Sequence, residues 1–175
     1  VLLLHWPTPS GENREALELL QQAANKGYAK SIGVSNYTIK MLEEACATLD
    51  DIPVCNQVEF HPYLDQSKLF AAATRLGIAL SAYCPLAKGR IFGDPVIKTL
   101  AAKYNRSEAQ IILRWIVQKG VSANPMSTKP ENLSANIDAV NFNLSAPDSA
   151  AIDRLGKKGL RIVDKDRMPI APEWD

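Results

Sequence analysis

His5 is the first residue of this chain whose type and position suggest chemistry. It ends an apolar run, Val1 to Leu4, and is followed by Trp6 and Pro7. A short unbroken apolar run is expected of a strand buried on both faces, and α/β barrels place their reactive groups at the carboxyl end of such strands. An imidazole there could donate a hydrogen bond to a substrate oxygen, an effect that counts most in a dry pocket; the competing reading is a histidine that caps a strand end. Trp6, directly after it, is expected to line a pocket. Ser35, Asn36 and Gln57 carry short polar groups just past other apolar runs, and an amide both donates and accepts. Helix capping would explain Ser35 or Asn36 but not Gln57. Tyr83 ends a further run and offers a flat face. An ordinary core aromatic is the alternative, although Pro85 breaks the run at once. His61, between Phe60 and Pro62, reads as a structural turn residue, and Trp115 as core. Cys46, Cys55 and Cys84 form neither a disulfide framework nor a zinc spacing and read as small core residues. No metal-ligand set is present.

These residues need strands to carry them. Apolar runs predict strands at Val1–Leu4, Ser31–Val34, Cys55–Val58, Ile78–Tyr83 and, shorter, Val121–Pro125. Helical periodicity predicts helices at Asn13–Lys26, Thr38–Leu49, Gln66–Leu76, Pro130–Ala139 and Asp148–Leu155. Pro95–Lys119 reads as two helical pieces divided at Asn105, with Ser107 and Gln110 forming a capping box for the second. Gly27 and Gly77 stop two of the helices. Arg161–Asp175 reads as irregular.

Strands separated by helices imply βαβ units on a parallel sheet. A closed eight-unit barrel takes roughly 250 residues, so about five units would form part of one. The rival is a small open doubly wound sheet; against it, no strand is followed by a GxGxxG turn or a Walker-type loop. Among the 175 residues, 20 Lys and Arg balance 19 Asp and Glu, which argues against nucleic-acid or anionic-membrane partners. No apolar stretch is long enough to span a bilayer. The first residues lack the features of a signal peptide, so the expected location is cytoplasmic.

Five motifs then line up in order: LLHWP at Leu3–Pro7, IGVSN at Ile32–Asn36, NQVEFHP at Asn56–Pro62, SAYCPL at Ser81–Leu86 and PMSTKPENLSAN at Pro125–Asn136. Together they resemble the aldo-keto reductases, and within them the bacterial diketogluconate-reductase-like members. The resemblance implies the carboxyl-terminal part, about five βα units, of a (β/α)8 TIM barrel, with residues 1–175 running from the fourth strand to the carboxyl-terminal tail. It implies an oxidoreductase that reduces small aldehydes or ketones, sugar-derived dicarbonyls among them, by hydride transfer from a nicotinamide cofactor. The family's proton-donating tyrosine and its assisting lysine and aspartate belong to earlier strands and have no counterpart here, so these residues alone are expected to be inert. The alternative is a non-catalytic half-barrel that binds a nucleotide or a partner.

Residue by residue, the resemblance makes His5 the catalytic group that orients the carbonyl and places Trp6 at the substrate. It assigns Ser35, Asn36 and Gln57 to the nicotinamide carboxamide, Tyr83 to stacking on the ring, and Leu86, in the loop Cys84–Arg90, to the pyrophosphate. Ser127, Thr128, Asn132 and Asn136 would hold the adenosine end. Two cations usual at that end are replaced by Met126 and Asn132. Both would bind a 2′-phosphate, at about 1.5–3 kcal/mol per charged hydrogen bond, and Lys129 would compensate in part. NADP(H) is therefore expected, with NAD(H) also accepted and little discrimination. The full-length protein is expected to be a monomer. An open half-barrel would expose strand edges, so these residues alone are expected to self-associate.

Overall fold

A computed structural model describes residues 1–175. Its elements alternate as the apolar runs require: β1 (Leu2–Leu4), α1 (Arg14–Asn25), β2 (Ile32–Ser35), α2 (Ile39–Thr48), β3 (Cys55–Glu59), α3 (Ser67–Leu76), β4 (Ala79–Tyr83), α4 (Pro95–Tyr104), α5 (Glu108–Gln118), β5 (Ser122–Ala123), α6 (Pro130–Asp138) and α7 (Ala146–Asp153). The sheet order is β1-β2-β3-β4-β5. β1 pairs with β2 in parallel, Leu3 opposite Gly33, and β2 with β3, Ser35 opposite Gln57. Strand order that never reverses is the order of a barrel sector. A doubly wound sheet changes direction at a switch point, so the open-sheet rival is excluded.

The chain divides into two compact units. The first comprises Val1–Val58, Ser67–Ser81 and Val163–Asp175. Leu17 and Leu20 of α1, Val34 of β2 and Leu42 and Ala45 of α2 form its buried face. Gly33 is required here: a Cβ would lie 2.8 Å from both the Cys55 carbonyl oxygen and Leu3 Cδ2. α1 ends where Gly27 turns to a φ of 76°, which lets Tyr28 N–H return to the Ala23 carbonyl. The N-cap of α2, Thr38, makes no side-chain cap. In its place the carboxylate of Asp175 accepts the Ile39 N–H at 3.0 and 3.2 Å. β1 departs from the expectation of burial on both faces: Leu2 is 40% exposed, and Leu3 and Leu4 are half-buried. The reason is topological, since β1 is the outermost strand of the sheet and pairs with β2 alone.

The second unit comprises Glu59–Gln66 and Ala82–Ile162. Asp94 caps α4, accepting from Val96 N–H at 2.9 Å, with Pro95 at the first helical position. Asn105, at φ 50° and ψ 50°, ends α4 in the left-handed region, and Ser107 and Gln110 form the expected capping box of α5. α5 is the core of the unit and buries Ile111, Ile112, Leu113, Trp115 and Ile116. Trp115 satisfies its indole N–H on Asp153, at 2.9 Å. β5 shrinks from five expected residues to two, ending short of Pro125, which has no N–H to donate. α7 starts earlier than its apolar pattern suggests because Ser145 caps it, accepting from Asp148 N–H. α6 buries none of its residues.

Candidate functional site

At the carboxyl end of β2 the chain makes a short turn that holds Asn36 at φ 63°, in the left-handed region. Asparagine tolerates that region better than most residues. Asn36 N–H donates to the Gln57 carbonyl at 2.9 Å. The Ser35 hydroxyl donates to the same oxygen at 2.8 Å. Asn36 Nδ2 donates to the His5 carbonyl at 3.0 Å and to Ser35 Oγ at 3.2 Å. Ser35 and Asn36 are fully buried. Neither one caps a helix: α2 begins at Ile39, after Thr38, which removes the capping reading of both. Gln57, half-buried, reaches Ser81 Oγ with its amide at the outer limit of a hydrogen bond, 3.5 Å. Asn36 thus fastens the backbone of His5 to the end of β2 and the middle of β3. The His5 ring is exposed, with the half-buried Trp6 ring 5.9 Å away between centroids.

The remaining candidates belong to the second unit. Tyr83 closes β4 and is half-buried. Burial pushes its phenol up, and the Glu59 carboxylate adds to this against the Arg161 guanidinium. Tyr83 is therefore a neutral flat ring. Burial likewise raises the thiols of Cys46, Cys55 and Cys84, so none is an activated nucleophile. Directly after Tyr83 the backbone is strained: Cys84, Ala87 and Lys88 have φ of 47°, 45° and 51°. Such positions cost on the order of 1–3 kcal/mol each and cluster at ligand clamps. The turn is held by Ala87 N–H on the Cys84 carbonyl and Gly89 N–H on the Leu86 carbonyl, each at 2.8 Å.

Leu86, Ser127, Asn132 and Asn136, expected from sequence to act together, line one cleft of about 470 Å³. Phe92, Glu108 and Met126 line it too. Thr128 is exposed and is not among the lining residues; Ser127 Oγ accepts the Lys129 N–H at 3.2 Å. Glu108 and Phe92 are the lining groups the sequence reading did not single out. Glu108 gave a signal as the first residue after the Ser107 cap. Its Oε2 accepts the Gly93 N–H at 2.7 Å.

Two buried polar knots also escaped the sequence. His61 Nε2 lies 2.8 Å from Glu59 Oε1, and the same oxygen accepts Ile162 N–H at 2.6 Å. Both side chains are fully buried, which suits a structural His61. Nearby in the unit, Asp94 Oδ2 accepts from Tyr63 Oη and Lys158 Nζ, each at 2.7 Å. Burial pushes the Asp94 carboxyl up, but the bonds from Lys158, Tyr63 and the α4 amides outweigh it and hold it below the usual range. No helix is long and apolar enough to cross a membrane.

Comparison with known proteins places these features in context. Residues 1–157 match the model of the aldo/keto reductase family. The chain is 40% identical over 176 residues to the methylglyoxal reductase DkgB of Escherichia coli O157:H7, covering 99% of this chain and 65% of that protein. Among solved structures it is similar to a mutant of Gox0644 in complex with NADPH, at 35% identity and a TM-score of 0.88, covering 95% of this chain and 62% of that one. It is also similar to the aldo-keto reductase of Bombyx mori in complex with NADP, at 32% identity and a TM-score of 0.85, over 94% and 59%. The chain therefore spans somewhat less than two thirds of the length of these relatives.

Proposed function

The chain belongs to the aldo/keto reductase family, and we propose that it is the part of an NAD(P)H-dependent carbonyl reductase that runs from the fourth barrel strand to the carboxyl-terminal tail. The observation that carries this reading is the Asn36 tie, which fixes the His5 backbone beside the buried end of β2 and the half-buried Gln57 of β3, where amide and hydroxyl groups gather. Those groups match a carboxamide, which needs both donors and acceptors.

A bound reduced nicotinamide would supply the hydride. The proton for the resulting alkoxide would come from the family's tyrosine on an earlier strand, outside these residues; the residues of this chain bind and orient. Ser35, Asn36 and Gln57 hold the carboxamide. Tyr83, neutral and flat, stacks on the ring and leaves one face to deliver hydride. His5 donates a hydrogen bond to the substrate carbonyl oxygen and stabilises the charge that develops there. Trp6 lines the substrate side and excludes water. Leu86, in the strained turn, offers backbone to the pyrophosphate, and Ser127, Thr128, Asn132 and Asn136 take the adenosine end. The cofactor is NADP(H) or NAD(H). The substrate is a small aldehyde or ketone; a relative named methylglyoxal reductase supports a dicarbonyl. We assign the protein to the cytoplasm, as a monomer, in line with three cysteines that form no disulfide.

The test is turnover of methylglyoxal by the full-length protein, followed as loss of reduced-nicotinamide absorbance, in the unaltered protein and in His5→Ala. Loss of one such donor is expected to cost about 10²–10³ in kcat. Unchanged kcat in His5→Ala removes the role given to His5. Dinucleotide binding with no turnover of any aldehyde or ketone favours the non-catalytic half-barrel.

A further inference from the structure

The cleft of the second unit bears on which dinucleotide is taken, a point that rests on the cofactor reading above. We propose that Glu108 is a specificity-determining residue that biases this cleft toward the unphosphorylated adenosine ribose of NAD(H) and against the 2′-phosphate of NADP(H).

Charge is the first ground. The lining holds one carboxylate, Glu108, and neither lysine nor arginine. A 2′-phosphate is an acceptor-only anion and needs cations. A ribose diol has two O–H donors, and a carboxylate is the acceptor that suits them. Met126 and Asn132, where cations would serve a phosphate, are neutral, and Met126 is 92% exposed. Geometry is the second ground. Glu108 is half-buried and begins α5. Its Oε2 is pinned by Gly93 N–H at 2.7 Å, so the charge stays at the cleft and does not swing into solvent. The third ground is the helix itself. The start of α5 carries a partial positive charge that would otherwise favour an anion. Glu108, in that first turn, already answers it.

Lys129 opposes the bias. It is exposed at the N-cap of α6 and stands outside the cleft lining, so its attraction for a phosphate is screened by water and salt. A preference of about tenfold for NAD(H) is expected at low ionic strength, equivalent to about 1.4 kcal/mol. Like charges a few ångströms apart at a protein surface supply energies of that order.

The experiment is a pair of binding titrations on the full-length protein, with NADH and with NADPH, read by quenching of tryptophan fluorescence at low and at high salt. NADH is expected to bind about tenfold tighter, with the gap narrowing as salt screens the repulsion. Glu108→Gln keeps an acceptor for Gly93 N–H and is expected to improve NADPH binding about threefold while changing NADH little. Glu108→Ala is expected to do the same and serves if Glu108→Gln does not fold, while Asn132→Arg, on the exposed face of α6, checks that a 2′-phosphate reaches this cleft. NADPH binding tighter than NADH in the unaltered protein overturns the proposal, as does an NADPH-to-NADH ratio that removal of the Glu108 charge does not move. Binding of neither nucleotide removes the cofactor reading and this proposal with it. Binding of both, with the phosphorylated form preferred, removes only the proposal.

Discussion

The two regions that carry the candidate residues are built by opposite means. At the carboxyl end of β2, Ser35 and Asn36 are buried and tied to the backbone carbonyls of Gln57 and His5. Around the cleft of the second unit, Ser127 and Asn136 are half-buried, Thr128 and Asn132 are exposed, and α6 buries nothing. The first arrangement holds its polar groups by hydrogen bonds of 2.8 and 3.0 Å to neighbouring backbone carbonyls. The second leaves groups free to change without disturbing a core. That freedom fits the expectation, carried by the resemblance alone, that neutral Met126 and Asn132 stand where cations are usual. Specificity can drift where packing does not resist it.

Gly33→Val should break the first region most severely. Its Cβ meets a backbone carbonyl at 2.8 Å, and overpacking of this kind costs about 3 kcal/mol or more. Chemical denaturation would show it as a lowered midpoint. Asn36→Ala should follow, at about 2–3 kcal/mol, from an orphaned His5 carbonyl and a left-handed backbone that alanine resists. Asn36→Gly separates the two effects, since it relieves the strain and not the lost bond. Recovery of full stability in Asn36→Gly would mean that the Asn36 side chain contributes nothing.

Asp94→Asn tests the firmest polar contact of the second unit. Asparagine still caps α4, so the loss reports the contacts of Oδ2 with Tyr63 and with Lys158, which is half exposed; about 1–2 kcal/mol is expected. The folded-state pKa of Asp94 is lowered, so its contribution is complete above the unfolded value of about 3.9. It fades as pH falls through that value toward the lower folded one. The native protein and the variant should therefore differ near neutrality and converge in acid. Convergence in alkali instead would contradict the assignment. Ser107→Ala removes the capping box of α5 and should cost about 1 kcal/mol. Ile137→Ser, at a position 73% exposed on α6, should cost no more than about 0.5 kcal/mol. A cost as large as that of Asn36→Ala would erase the contrast between the regions.

What the sequence discloses follows from distance along the chain. The Ser107–Gln110 capping box, the break at Asn105 and the stop at Gly27 are local and were predicted from neighbouring residues. So was the division of strands and helices, whereas the barrel followed from the resemblance carried by the five motifs. β1 reads from its apolar side chains as a doubly buried strand, and its exposure follows from its place at the open edge of the sheet these residues form. Ser145 was missed as the start of α7 because the apolar pattern begins later than the cap. The Glu59–Ile162 bond joins residues 103 positions apart, and nothing in either neighbourhood announces the other. The strained turn after Tyr83 uses Cys84, Ala87 and Lys88 at positive φ, which residue type does not betray. Four of the six second-unit candidates, drawn from two motifs, line one cleft, and Glu108 joins them only in three dimensions.

The Asp175 carboxylate on α2 sets a schedule for synthesis. A ribosome makes α2 well before its cap, since 136 positions separate Ile39 from Asp175. At about 5–20 residues per second, the nascent helix waits on the order of ten seconds with its first turn open. During that interval α2 depends on Leu42 and Ala45 packing against its unit, and translation speed over the later codons controls how long the helix stays uncapped.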